Sequence, residues 1–335
     1  MMRLKTTVYI LVLLMPLVVG FAVLFIGAYG IGPGIVVRGL VPQIFLSHPD
    51  SDLSERNIIL DIRLPRIILA GIVGMILSSA GVTVQGLFLN PLVDPFILGI
   101  SAGAALGCAL SVGFFPAFPT QLMALLFALG AVAITYSIAR TQGEISRLPL
   151  VLSGVIISSF FTALVSIVKF LVDPHKLQSI VYWLMGSFAL AGWSDVKIAF
   201  LGVMGVLPMF FMRWRINVLS MGEDEAKALG INVRRDRAIL LFSASLAVSI
   251  AVSVSGIIGW VGLIVPHLVR MVVGPDHKTL VPLSMAGGAA FMILADTVAR
   301  GLTNLDIPVG IVTSILGAPF FIYLMKKGGR ESWGY

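Results

Sequence analysis

The sequence predicts an all-α protein that crosses a membrane about ten times within a single domain, residues 1–335. The chain is 58% hydrophobic, has a mean hydropathy of +1.02 and carries only 12% charged residues, about half the roughly 25% that is usual in soluble domains. Because backbone groups must be hydrogen-bonded internally in lipid, the spanning segments are either helices or strands of a closed barrel. The apolar runs are too long and unbroken for alternating barrel strands, so they predict helices of about 20 residues.

Ten apolar runs define the predicted spans. The first extends from Val8 to Ile26, which is longer than the roughly 7–15 residues of a signal-peptide core, so we interpret it as an uncleaved span. The eighth span is short and could be half-buried, whereas the segment Leu177–Ala191 is too short to span and is expected to lie near the outer surface. The spans are placed at 7–29, 65–88, 95–113, 119–139, 149–172, 196–212, 238–256, 257–271, 280–298 and 308–325.

The lysines and arginines predict the orientation, since cytoplasmic loops of membrane proteins carry an excess of them. Ten spans place both termini on the same side. If that side is cytoplasmic, 15 of the 23 basic residues fall on inner segments and Lys169 falls within a span. In a membrane protein a basic excess of this kind sets the topology. We therefore do not interpret the net charge of +7 as a sign of nucleic-acid binding. The outer segments carry the other seven, which are Arg38, Arg56, Arg63, Arg66, Lys176, Lys197 and Arg300.

The longest inner loop, residues 213–237, contains a short amphipathic helix over Met221–Leu229. Three consecutive acids occupy its first turn, where the helix dipole favours them, and Gly230 is a natural C-terminal stop. Ala226 and Leu229 are three residues apart and are expected to share a face. A helix this short is marginal alone. It is therefore either the contact for a cytoplasmic partner or an ordinary interfacial helix.

Sequence motifs narrow the functional class. The chain has no GxxxxGK[ST] phosphate loop and no HExxH motif, and its four histidines are scattered. The one cysteine, Cys108, is interpreted as a buried side chain that fills space in the core. We therefore predict no catalytic residue and no metal ligand. Three classes remain at this point: a permease driven by a separate ATPase, an ion-coupled secondary transporter and a membrane enzyme. An ion-coupled transporter needs an intramembrane carboxylate, and only Asp296 approaches that position.

Seven segments, in order along the chain and at sensible spacing, resemble the permease subunit of the iron-siderophore, haem and vitamin B12 ABC importers. The resemblance extends from Arg63 to Leu324. The segments are RLPR at 63–66, GVTVQGLFLNPLVDPFILGISAGAALG at 81–107, YWLMGSF at 182–188, GEDEAKALGINV at 222–233, GIIGWVGLIVPHLVR at 256–270, ADTVAR at 295–300 and IPVGIVTSILGAPFFIYL at 307–324.

The resemblance implies a ten-helix fold like that of the vitamin B12 importer permease, in the cytoplasmic (inner) membrane. Two copies would form a homodimer with the translocation path along their interface. Two ATPase subunits would bind ATP and Mg²⁺ and hydrolyse ATP, so the permease itself would hold no cofactor and would not be an enzyme. An extracytoplasmic binding protein would deliver the substrate. Ferric siderophores rank first as substrates, before cobalamin, haem and molybdate-type oxyanions, but nothing in the span pattern selects among them.

The resemblance also assigns roles to individual residues at the two ends of the spans. Arg63, Arg66 and Arg300 would contact acidic residues of the binding protein, although arginines at helix ends commonly extend to lipid headgroups. Part of the charge of Arg300 could be taken by Asp296, four residues before it. The inner loop helix would be the coupling element that contacts the ATPase. Its residues are Gly222, Glu223, Glu225, Ala226, Leu229 and Gly230.

Two further assignments concern the path itself. Asn90 and Leu92, in an Asn-Pro turn between spans two and three, would form part of a cytoplasmic gate, and the same residues also make a helix-ending turn. Span five carries small polar residues at near four-residue spacing. This spacing is typical of tight helix packing, but in the family this helix lines the path. The path-lining candidates are Ser158, Ser159, Thr162 and Ser166.

Overall fold

A computed structural model of the chain describes residues 2–26, 32, 34, 36, 53–141, 144–145, 147–301 and 306–327. Nearly all of this part is helical. The helices are α1 (Met2–Leu24), α2 (Leu53–Asn57), a π-helix (Ile58–Arg63), α3 (Leu64–Phe88), a 3-10 helix (Pro95–Leu98), α4 (Ile100–Phe114), α5 (Thr120–Ala139), α6 (Arg147–Leu171), α7 (Pro174–Leu184), α8 (Trp193–Phe211), α9 (Arg213–Leu219), α10 (Glu223–Ala228), α11 (Val233–Ser255), α12 (Val261–Val273), α13 (His277–Gly301) and α14 (Val309–Lys327).

Ten apolar helices coincide with the ten predicted spans, which confirms the fold class. In the described part of the chain, six of them are long and apolar enough to cross a membrane and four are shorter apolar helices. The eighth span, α12, is indeed short, with 13 residues. The segment predicted to lie at the outer surface forms the 11-residue helix α7. Between α5 and α6 the chain forms a two-stranded hairpin that was not predicted, β1 (Arg140–Thr141) paired with β2 (Glu144–Ile145).

The helix ends gather at two opposite ends of the bundle. At one, which we call the outer end, Arg63 Nη1 donates to the carbonyl of Leu24 and Lys176 Nζ donates to that of Gly113, over 2.7 and 2.9 Å. At the other, the inner end, Gly86 lies against Ile216 and His277. These contacts bring together the segments that the alternating topology places on one side, so consecutive spans run antiparallel.

Three helices, α3, α11 and α13, form the core of the bundle. Their most apolar windows are 78%, 72% and 67% buried, compared with 28–33% for α5, α6 and α8. Glycines let the core helices approach closely. A Cβ atom at Gly81 would overlap the carbonyl oxygen of Gly262, and one at Gly74 would overlap that of Gly288. The short α12 and the long α13 therefore pack directly on the backbone of α3.

A non-helical segment, residues 256–260, interrupts the span pair α11 and α12. Its ends, Gly256 and Trp260, have positive φ values of 70° and 74°. Irregular backbone at membrane depth is tolerated where protein surrounds it. Here Ser187 N donates to Ser255 O over 2.8 Å. The segments 183–187, 255–258 and 309–310 thus meet near the outer end, and we call this contact the outer junction.

Candidate functional site

Arg66 lies inside the bundle at the outer end. Its side chain is only 9% exposed, and its Nε and Nη2 donate to both carboxylate oxygens of Asp296 over 2.9 to 3.2 Å. Two further contacts of 3.3 Å reach Asp306, just before α14. The bidentate geometry suits a planar guanidinium and a carboxylate. Arg66 therefore ties α3 to α13 and to the start of α14.

The other two outer arginines are also enclosed by protein. Arg63 is 3% exposed and donates to the carbonyl of Leu24. Arg300 Nε lies 3.8 Å from Asp296 Oδ2, which confirms the predicted same-helix pair, but Arg66 is the better partner of that carboxylate. The side chains of all three arginines thus turn back into the bundle. Contact with a binding protein stays a prediction.

The predicted gate residues lie on the surface of the inner turn. Leu89 ends α3 in the left-handed conformation, with φ 52°. Asn90 Oδ1 then accepts a 2.9 Å hydrogen bond from Leu92 N, which closes a local turn. Asn90 and Leu92 are exposed and Pro91 between them is buried. The side chains of Asn90 and Leu92, the predicted gate residues, are therefore on the surface of the subunit and are not packed inside it.

The polar row on α6 separates into a buried part and an exposed part. Gly154 is buried so tightly that a Cβ there would overlap Ile97 O. Ser158 is half-buried, whereas Ser159, Thr162 and Ser166 are exposed. The hydroxyls of Thr162 and Ser166 donate to carbonyls four residues earlier, over 2.7 and 3.0 Å. Tight packing therefore explains why residue 154 is a glycine. The exposed hydroxyl row, Ser159, Thr162 and Ser166, lies on a face that no described part of the chain covers.

The coupling loop, residues 213–232, consists of α9 and α10 and ends where α11 begins, five residues earlier than predicted. Gly222 precedes α10 with φ 138°, a conformation that favours glycine. Ala226 is 0% exposed and belongs to the core, whereas Leu229 is 62% exposed. The prediction that these two residues share a face is wrong. Leu229 N still donates to Glu225 O over 3.1 Å, but positions three apart differ by about 60° around a helix, and the edge of the packed face falls between them.

Ion pairs attach the coupling loop to α11. Arg215 Nη1 donates to both oxygens of Asp236 over 2.8 and 2.9 Å. Glu223 Oε1 accepts a 2.6 Å hydrogen bond from Arg237 Nη2. This hydrogen bond lowers the pKa of Glu223 below its ordinary value of 4.5. Glu223 and Glu225 were both assigned to the ATPase contact; Glu225 is exposed, whereas Glu223 is half-buried and pairs with Arg237 inside the chain.

A second polar contact attaches α9 to the start of α13. Asn217 Nδ2 donates to Asp276 Oδ1 over 2.6 Å, and His277 N donates to Asn217 Oδ1 over 2.8 Å. Deeper in the bundle, Gln85 donates to Gly262 O and accepts from Arg270. Sequence reasoning missed these contacts. Their partners are 59 to 185 residues apart and no spacing rule connects them.

A cavity of about 520 Å³ lies near the outer end, next to the outer junction. It is enclosed by α7, the starts of α5 and α8 and the last turn of α11. Its polar lining is almost entirely neutral, and Asp195 is its one carboxylate. In the described residues, no three His, Cys, Asp or Glu side chains come together as a metal-binding group.

A bundle of ten apolar helices, with a broken span pair and a partly exposed inner loop helix, defines a polytopic membrane transport protein. The chain belongs to the FecCD transport family, whose model matches residues 13–327. It is 48% identical over 284 residues to a protein of Helicobacter pylori named a probable iron chelatin transport system permease, covering 84% of this chain and 86% of the relative. It is 41% identical to the molybdate import permease MolB of Haemophilus influenzae, with coverage of 84% and 85%.

The fold comparison agrees with the sequence relatives. A solved structure described as an inward-facing metal-chelate type ABC transporter superposes with a TM-score of 0.84, at 38% identity, covering 96% of this chain and 100% of that one. The chain is therefore the permease of a metal-chelate type ABC importer. Such a permease works with a separate ATPase and with a binding protein. This excludes the ion-coupled secondary transporter that the sequence had left open.

Proposed function

We propose that this permease imports a ferric chelate of the siderophore type. The observation that carries the proposal is the 48% identity to a permease named for iron chelatin over 84% of the chain. A molybdate-type oxyanion is the second candidate, because the molybdate relative matches over the same share of the chain at 41% identity. Cobalamin and haem are the other substrate classes to be tested against these two.

The binding protein that serves this permease gives the sharpest substrate test. It should be purified and incubated separately with a ferric hydroxamate, a ferric catecholate, haem, cobalamin and molybdate, and retention of each should be measured after gel filtration. Retention of a ferric siderophore alone supports the proposal. Retention of molybdate, haem or cobalamin in its place overturns it and identifies the substrate.

We place the inner end of the bundle in the cytoplasm, so that both termini and the coupling loop face the ATPase side of the cytoplasmic membrane. The support is the basic excess, 15 of 23 lysines and arginines on inner segments. A reporter fused after Tyr335 tests the orientation. A signal from outside the membrane would contradict the ten-span topology, and a cytoplasmic signal is expected.

The ATPase would bind ATP and Mg²⁺ and would dock on the exposed side of the coupling loop. Leu229 is 62% exposed there and Ala226 is buried, so the two positions separate docking from folding. Leu229→Glu should weaken association with the ATPase while leaving the thermal stability of the permease unchanged. Ala226→Glu buries a charge and should instead lower stability. An ATPase complex unaffected by Leu229→Glu would show that docking uses another surface.

A second copy of the chain would face the exposed hydroxyl row of α6, with the path between the copies lined by Ser159, Thr162 and Ser166. The support is that these side chains are polar, exposed and in one row on an otherwise apolar helix. Thr162→Cys should react with a water-soluble thiol reagent in the assembled importer. Leu201→Cys is the control, since Leu201 on α8 is 56% exposed and apolar. Equal inertness of both cysteines would place Thr162 in lipid and reject the path.

A further inference from the structure

Two ion pairs of opposite polarity join the coupling loop to consecutive residues in the first turn of α11. In one, the loop supplies the arginine and α11 the acid, Arg215 with Asp236. In the other, the loop supplies the acid and α11 the arginine, Glu223 with Arg237. Two pairs of reversed polarity specify one register of the loop on α11, because a shift by one residue would place like charges together.

Each pair has one desolvated member and one member that meets water. Asp236 and Arg237 on α11 are buried, whereas the side chains of Arg215 and Glu223 are each 42% exposed. Water can therefore replace the partner of Arg215 or Glu223, on the loop, more easily than it can replace the partner of Asp236 or Arg237, on α11. Such an asymmetry in exposure is expected where ion pairs hold a loop that receives force against a rigid helix.

The α11 helix extends from this fastening to the outer end without a break. It is a 23-residue α-helix from Val233 to Ser255. Its last turn lines the outer cavity with Ser253, Val254 and Ser255. Ser255 O also accepts the hydrogen bond of Ser187 N at the outer junction. A helix of this length spans about 35 Å at 1.5 Å per residue, so one element connects the coupling loop with the outer cavity.

We propose that Glu223 and Arg237 are positioning residues that fasten the coupling loop to α11, so that movement of the loop displaces the α11 turn at the outer cavity. The inference rests on the proposed function, in that the ATPase docks on this loop. It assigns Glu223 a role inside the permease, separate from contact with the ATPase. The pair of Arg215 with Asp236 holds the same loop from its first helix.

The experiment measures whether ATP changes the accessibility of the far end of α11. A Val254→Cys variant in a Cys108→Ala background is assembled with its ATPase in proteoliposomes, and its rate of labelling by a thiol reagent is measured with and without ATP and Mg²⁺. The parent should show an ATP-dependent change in that rate. Glu223→Gln and Arg237→Gln should each abolish the change while retaining ATPase association and ATP hydrolysis, with only a small loss of thermal stability.

Asp224→Asn is the matched control. It removes the same charge from the same helix, but Asp224 is 97% exposed and only touches Lys227 at 4.0 Å. It should retain the ATP-dependent change. Three results would overturn the inference: an unchanged response in Glu223→Gln, an equal loss in Asp224→Asn, or a parallel fall of ATPase association with the labelling response. Failure of the parent to associate with the ATPase would contradict the proposed function instead.

Discussion

Arginine–carboxylate pairs hold both ends of the bundle, but the two ends differ in how much of each pair is in water. At the outer end the side chains of Arg66 and Asp296 are 9% and 3% exposed. At the inner end the loop members, Arg215 and Glu223, are both 42% exposed. The outer pair connects two spanning helices with each other, whereas the inner pairs connect a loop with a spanning helix.

This difference in exposure indicates a different role for the ion pairs at each end of the bundle. A fully desolvated pair is costly to break, because removal of one member leaves an uncompensated buried charge. A half-exposed pair can be opened at lower cost, since water replaces the missing partner. The outer arginine cluster therefore fixes α3, α13 and the start of α14, and the inner pairs hold a loop that also has to meet the ATPase.

Removal of the outer pair should have the largest effect on stability. Arg66→Met leaves Asp296 buried without its bidentate partner, which should cost about 3–5 kcal/mol of unfolding free energy. Thermal unfolding of the purified permease in detergent measures the loss. The double variant Arg66→Met with Asp296→Leu removes both charges and should recover much of it. A double variant no more stable than the single one would show that the pair is not the cause.

Arg300 tests whether an outer arginine contacts the binding protein or only supports the fold. Its Nε and Nη2 are buried and have no hydrogen-bond partner among the described residues, and its 3.8 Å contact with Asp296 is long. Of the three arginines, it is the one with buried donors that no described residue uses, so an acid of the binding protein would have to enter the outer end of the bundle to accept from them. Arg300→Gln should lower binding-protein affinity about tenfold, equivalent to roughly 1.4 kcal/mol, with little change in melting temperature.

The same measurement should be repeated with rising salt, because an accessible ion pair with the binding protein is screened within about 8–10 Å at physiological ionic strength. Unchanged affinity of Arg300→Gln at low salt would reject docking at this residue. The triple exchange of Arg63, Arg66 and Arg300 to glutamate would not test docking alone. Arg66 supports the fold, so the triple variant is expected to lose stability together with binding.

Removal of Arg215 should cost less than removal of Arg66, although each arginine contacts both carboxylate oxygens of a buried aspartate. Arg215→Met leaves Asp236 without its partner, but the half-exposed position of Arg215 lets water enter. We expect a loss of about 1–3 kcal/mol, measured by thermal unfolding beside Arg66→Met. Equal losses in the two variants would remove the distinction between the outer and inner ends.

Hydropathy predicted the ten spans and α7 because burial in lipid selects apolar runs directly. The loop helix was also predicted, at Met221–Leu229 against Glu223–Ala228 in the structure. The i,i+4 pair of Asp296 with Arg300 was predicted, but long-range partners of the charged residues were not predictable, since Arg66 and Asp296 are 230 residues apart. Their contact depends on the packing of α3 on α13, which close glycine contacts determine. The shared face of Ala226 and Leu229 was wrongly predicted because the packed face of this short helix ends between the two positions.

The smallest expected effect is the acid dependence of the Glu223 pair. Its hydrogen bond from Arg237 lowers the pKa of Glu223 below 4.5 in the folded protein, so folding favours the ionised carboxylate. The stabilisation is fully present above about pH 4.5 and is lost as the pH falls through the lower folded pKa. The stability difference between the parent and Glu223→Gln, measured by thermal unfolding, should therefore be constant near neutral pH and shrink in acid. Because the side chain is 42% exposed, water screens the pair and the difference stays small. A difference that persists unchanged into acid would show that Glu223 acts through its shape and that its charge makes no contribution at this end of the bundle.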